Sequence, residues 1–212
     1  MENPVIIFGA SGIGKVALDI FSSKQIITYC FLDDDENLHD TEVNDIVVMG
    51  NTKDDGFLKF IGKKCEAFVA LEDTSERKRV VNMLKQKRKV MPVNAIHDKT
   101  IISDHTFIGY GNLINAGAII NAGSKVPNNC IIHSNAVIEF DVILEDFAQV
   151  GAGSIIGSKA NIKEGALIGA GATIAAGITI GRHAQIAPGS VVLRNIEDDD
   201  IVFGNPAGTI EK

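Results

Sequence analysis

Every sixth residue in the second half of this 212-residue chain is a branched aliphatic, from Ile102 through Ile108, Ile114 and Ile120 to Val192, sixteen positions without exception. Four residues after most of them stands a small side chain, as at Ala118, Ser124, Ala136, Ser154 and Ala172. A large interior residue and a small corner residue, recurring together every six, describe a solenoid of short strands that turn at regular corners. The 21 glycines and the absence of Trp suit so tight a coil.

The first half follows another rhythm. From residue 4 to about 96, the β-rich runs PVIIF, IITYCFL, DIVVM and CEAFVAL alternate with the helical patterns GKVALDIF and ERKRVVNMLKQ. That alternation predicts a small Rossmann-like α/β domain with a parallel sheet over residues 1–96. Residues 97–212 then form the solenoid, and the tail NIEDDDIVFGNPAGTIEK is placed to cap one of its open ends.

A formal net charge of -7 argues against nucleic acid or an anionic membrane as the main partner. The basic run at 77–89 is the exception, and Val80, Val81 and Leu84 form an apolar stripe along it at helical spacing. It reads as a solvated helix face or, alternatively, as a phosphate or partner contact. Cys30, Cys65 and Cys130 are far apart and lack ligand spacing, as expected of reduced thiols in a cytoplasmic protein. No apolar run approaches the length of a membrane span.

Two motifs in the first half bear on chemistry. The first β-run leads directly into GASGIG, Gly9 to Gly14, and then a helix, which is the context of a phosphate cradle and equally of a tight strand-to-helix turn. The spacing is GxxGxG, which favours a nucleotide-diphosphate ligand over a dinucleotide. At the end of the second run comes FLDDD, where Asp33, Asp34 and Asp35 are positioned to accept hydrogen bonds from a ribose or base, or to form a solvated acidic turn.

The GASG-type loop, the FLDD turn, the SERKR helix start, the hexapeptide prism and the GNPA segment together resemble the bacterial sugar acyltransferases of the NeuD/PglD type. The resemblance covers essentially the whole chain. It implies a left-handed parallel β-helix, three hexapeptides to a coil of eighteen residues, and a homotrimer with parallel prism axes. It further implies that the first domain binds a nucleotide sugar through Gly9, Ala10, Ser11, Gly12, Ile13, Asp33, Asp34 and Glu72. Acetyl-CoA would lie in a groove between prisms lined by Gln149, Gly151, Ala170 and Pro188, although prism corners need the same small residues anyway.

Acyl transfer from a thioester needs a base for the attacking amine or hydroxyl and a donor for the oxyanion. The resemblance places that base as a histidine in a VIEH-type segment followed by an acidic residue. Here the segment is VIEFD, with Phe140 at the histidine's place and Asp141 as its partner. A phenyl ring can neither accept nor donate a proton. The family's loop commonly reads GASGHG where this chain has Ile13, Glu72 and Asp73 replace a Gly-Asn or Gly-Asp pair, and Gln149 takes the place of a second histidine. His133 is the alternative base or a polar surface residue, and Glu139 and Asp141 are weaker bases. His39, His97, His105 and His183 read as surface residues, with no spacing for a metal shared between prisms.

Three functions stay open at this stage. One is acetyl-CoA-dependent transfer to a nucleotide-linked or amino sugar in surface-glycan biosynthesis. Another is a catalytically silent member that binds a nucleotide sugar or a partner protein. The third is acyl transfer to a small alcohol or amine that carries no nucleotide.

Overall fold

The computed structural model describes residues 3–209, so Ile210, Glu211 and Lys212 of the expected capping tail lie outside the described residues. The chain divides into two compact units, Met1–Asp98 and Lys99–Lys212.

The first unit is built on a parallel sheet of Thr28–Leu32, Val5–Phe8 and Glu66–Val69, in that spatial order. The central strand is apolar throughout and no residue of it is more than 2% exposed, as a strand paired on both edges requires. The helix Gly12–Ser23 buries Ile13, Ala17, Leu18, Ile20 and Phe21, and Phe21 meets Phe68 edge-on at 5.7 Å.

The helix Thr74–Arg88 starts at Asp73, whose carboxylate accepts from the Glu76 amide, and collects Lys85, Lys87 and Arg88 in its last turn. Its apolar stripe is Val80, Val81 and Leu84, all buried, but the basic run is not solvated throughout. Arg77 is 1% exposed. It stands three and four residues before Val80 and Val81, so helical geometry places it on the same face.

The second unit is a left-handed parallel β-helix of two-residue strands on three faces. One face stacks Ile119–Ile120, Val137–Ile138, Ile155–Ile156 and Thr173–Ile174, with Ile119 opposite Val137 and Ile155 opposite Thr173, a register of eighteen residues. The other faces repeat this through Lys125–Val126 and Ile143–Leu144, and through Ile131–Ile132 and Gln149–Val150. From Ile114 to Val192 every sixth-residue aliphatic is buried, as are the small residues that follow. The stack ends in Ile201–Gly204, parallel to Gln185–Ile186, and then reverses into Ala207–Thr209.

A second period of six emerges in the backbone. Each residue at this spacing from Gly111 to Gly189 has φ between +55° and +76°. It is the third residue of a four-residue corner closed by a carbonyl-to-amide bond, as from the Ala136 amide to the His133 carbonyl. Glycine fills most of these places, while Asn129, Asn135, Asp141, Phe147, Lys159 and His183 fill the rest. The left-handed coil needs this device because an ordinary crossover turns the other way.

Two glycines separate the costs of space and of strain. A Cβ on Gly14 would strike the carbonyl of Gly9, whereas a Cβ on Gly153, at φ +66°, would meet nothing within 4 Å. Gly14→Ala should therefore cost upwards of about 2 kcal/mol through overpacking. Gly153→Ala should cost only the left-handed backbone penalty of about 1 kcal/mol. Urea midpoints of the two variants test this order.

Candidate active site

In the first unit, Gly9 and Gly14 are required by packing. A side chain on Gly9 would lie 2.7 Å from the Ala70 carbonyl, and Gly14 lets the helix sit against the strand end. Gly12 differs: a Cβ there would face only the Glu72 carboxylate, at 3.7 Å. Ser11, at the N-cap, is exposed and spends its hydroxyl on no cap bond. The first-turn amides of this helix, which lack intrahelical acceptors, thus open beside Ser11 and Glu72. Ala10 and Ile13 are buried at 2% and 3% exposure.

The aspartates of the FLDDD turn are engaged within the chain. Asp33 accepts from the Ala10 amide at 2.8 Å and from the Asp35 amide at 2.9 Å, tying loop to turn. Asp34 accepts from the amide and hydroxyl of Thr52, and from Arg79 Nη2 at 2.7 Å. Burial works against its charged form, yet the bonds from Thr52 and Arg79 outweigh it and hold the carboxyl below its ordinary pKa. Arg77, which the basic composition of the run concealed, donates from Nη1 to the carbonyls of Leu71 at 2.6 Å and Glu72 at 2.9 Å. It fixes the backbone that presents Glu72 to the loop.

In the second unit, His133, Gln149, Gly151, Leu167, Gly169 and Ala170 line one open cavity of about 270 Å³. His133 opens a corner, and one and two coils above it stand Gly151 and Gly169, whose missing side chains let successive coils pack closely. A Cβ on Gly151 would collide with the Ala170 amide nitrogen, and one on Gly169 with that of Pro188. Pro188 continues this corner and is not itself part of the cavity lining. His133 Nε2 lies 3.4 Å from Gln149 Nε2, and Gln149 also carries a buried Oε1 with no partner among the described residues. Turning that amide presents an acceptor instead of a donor, so Gln149 can serve the imidazole in either protonation state. Among the described residues, the amides of Ala152 and Ala170 donate to no protein acceptor, in contrast to those of Tyr110 and Asn128 at equivalent turn positions.

Within one chain, His133 and Phe140 stand at different corners of the prism. His133 follows the strand Ile131–Ile132, and Phe140 follows the next strand, Val137–Ile138, at the next corner of the prism. Phe140 is 48% exposed. Asp141 is a left-handed corner residue whose carboxylate lies over Gly123, one coil below. The three cysteines are free and buried, and burial, with Cys65 nearby, pushes the Cys30 thiol up to about 12. No group of three or more His, Cys, Asp or Glu suited to a metal occurs among the described residues.

Residues 4–84 match the PglD N-terminal domain, and residues 159–194 match the bacterial transferase hexapeptide family in six repeats. The chain belongs to the NeuD/PglD-type hexapeptide sugar acyltransferases. Among solved structures of this type, PerB from Caulobacter crescentus in complex with CoA and GDP-perosamine is similar with a TM-score of 0.90. It is 26% identical, over 100% of this chain and 99% of that one. A histidine-to-alanine mutant of GDP-perosamine N-acetyl transferase from the same organism, also in complex with CoA and GDP-perosamine, is similar with a TM-score of 0.90 at 27% identity, over the same shares. The acetyltransferase domain of PglB from Neisseria gonorrhoeae, at 24% identity over 99% of this chain and 100% of that one, shares the NeuD/PglD-type fold with a TM-score of 0.89. No curated protein sequence matches the chain.

The Asp34 bonds have a pH signature. A depressed carboxyl pKa adds stability that is present above the unfolded value near 4 and is lost as pH falls through the lower folded value. Asp34→Asn should therefore lower the urea midpoint modestly at pH 7, because the group is partly exposed. The gap from the unmodified chain should narrow as pH falls through the lowered folded pKa; a gap constant with pH contradicts the assignment.

Proposed function

We propose that this protein transfers an acetyl group from acetyl-CoA to the amine of a nucleotide-linked amino sugar. The observation that carries the reading is the His133 cavity, where an imidazole, two unengaged amides and a floor without side chains lie together. The full-length similarity to PerB, whose structure holds CoA and GDP-perosamine, supports it. The Ser11–Gly12 helix start suits the anionic part of a nucleotide sugar, and Glu72 beside it supplies an acceptor for an amine or hydroxyl.

The chemistry follows from the side chains. The amine attacks the thioester carbonyl carbon, its proton passes to the His133 imidazole, and the oxyanion is held by amides of the Ala152 and Ala170 type. Collapse expels the CoA thiolate and leaves the amide. Gln149 orients the ring through both halves of the cycle. Gly151 and Gly169 admit the slender pantetheine arm against the coil.

Phe140 supports a second reading, a silent member that binds these ligands without turnover. The mutant relative that has lost a histidine and still holds both CoA and GDP-perosamine gives that reading weight. Thioester consumption with UDP-, GDP- and dTDP-linked amino sugars separates the two. Turnover that falls roughly 10²- to 10⁴-fold in His133→Ala identifies the base. Absence of turnover in the unmodified chain, with activity gained in Phe140→His, establishes the silent reading instead.

The reading includes a homotrimer. One prism face carries Ile101, Ile119, Val137, Ile155, Thr173 and Val191 outward, apolar at all but Thr173, and Ile101 and Ile155 are 64% and 44% exposed. An apolar ladder of this length suits burial against further copies of the chain. Ile119→Glu should convert the trimer to monomer in light scattering, whereas an unmodified chain that is already monomeric would refute the assembly.

A further inference from the structure

Two basic segments meet on the surface of the first unit. Residues 59–64 contain Lys59, Lys63 and Lys64, and residues 85–89 contain Lys85, Lys87, Arg88 and Lys89, with no acidic residue in either. Arg88 joins them: Nη2 donates to the carbonyls of Lys59 at 3.1 Å and Ile61 at 2.9 Å, and Nε donates to Ile61 at 3.2 Å. Gly62 permits the close approach, since a Cβ there would lie 2.6 Å from Val90 Cγ1. The six lysines are all exposed. An apolar rim adjoins them. The Tyr29 and Phe60 rings lie 6.2 Å apart, Lys59 Nζ stands 5.1 Å from the Phe60 centroid, and Ile27 and Tyr29 are 67% and 50% exposed.

The helix dipole accounts for the cations in the last turn of Thr74–Arg88. It does not account for the three lysines of the facing turn. A small bound anion fits poorly, because the shallow cavity here includes Asp55, which pairs with Lys87 at 3.2 Å. Lysine supplies hydrated point charges without the planar fork that reads a fixed carboxylate or phosphate, and the patch's only arginine is spent on carbonyls. Many mobile cations beside exposed aromatic and aliphatic groups suit a diffuse anionic surface with an apolar layer beneath it.

We propose that this surface docks the protein reversibly on an anionic phospholipid bilayer, with the lysines at the headgroup phosphates and Ile27 and Tyr29 at headgroup depth. The chain's net charge of -7 keeps its other faces away from the bilayer and so orients the contact. This proposal is independent of the catalytic reading, since it uses none of the residues assigned there.

The test is sedimentation of the full chain with vesicles of phosphatidylcholine, alone or with about one third phosphatidylglycerol. Binding is expected to the mixed vesicles only, and to disappear near 0.5 M salt, where the screening length shrinks to roughly 4 Å. Each lysine near such a surface is worth roughly five-fold in affinity, so the triple variant Lys59→Glu, Lys63→Glu, Lys64→Glu should lose on the order of 100-fold. The milder pair Lys63→Ser, Lys64→Ser guards against misfolding and should lose at least ten-fold. Tyr29→Ser should weaken binding while leaving its salt dependence. Equal binding by the lysine variants, no binding by the unmodified chain at low salt, or retention on a polyglutamate matrix without vesicle binding would each overturn the proposal.

Discussion

A parallel coil of two-residue strands can close only if its corners turn sharply and identically, and the left-handed residue at each corner makes that turn. The backbone strain there is set against the ladder that the turn brings into register. Each strand residue finds its partner eighteen residues away, interior aliphatics stack on interior aliphatics, and small residues take up the corner volume. Asn and Asp tolerate the conformation best after glycine, which accounts for Asn129, Asn135 and Asp141. Phe147 tolerates it least, and the surrounding ladder over-determines its geometry.

The same register builds the cavity. Because residues stack corner upon corner, His133, Gly151 and Gly169 fall in one column, and the cavity opens along it. In the first unit, a hydrogen-bonded network has the corresponding part. Arg77 holds the backbone at Leu71 and Glu72, while Asp33 and Asp34 bind the second strand's turn to the loop and to the Thr74–Arg88 helix. Asp33 and Asp34 thus hold the shape of the loop through bonds within the chain.

Period and composition made the solenoid readable, because interior aliphatics and small corner residues are selected for size alone. The corner conformation was harder to read, since Lys159, His183 and Phe147 satisfy it against their own preference. Arg77 was hidden because its charge suggests solvent, although its spacing to Val80 and Val81 placed it on the buried face. For the site, the eighteen-residue stack located His133 beneath Gly151, and the family resemblance joined Gln149, Gly151 and Ala170. Phe140 and Asp141 stand at another corner of the same chain, because one hexapeptide advances the chain by one face, and nearness in sequence becomes separation around the prism.

The reversal after Gly204 has a consequence for the chain's behaviour in a crowded cell. A stack of parallel rungs presents, at its last rung, the same unpaired edge that every earlier rung offered, and another chain's strand could continue it indefinitely. On one of the three faces, Ala207–Thr209 runs antiparallel along Ile201–Gly204 and occupies that edge with a strand of the opposite sense. On that face the hairpin works as a stop against continued parallel pairing, so the regularity that makes the coil stable does not also make that edge a template.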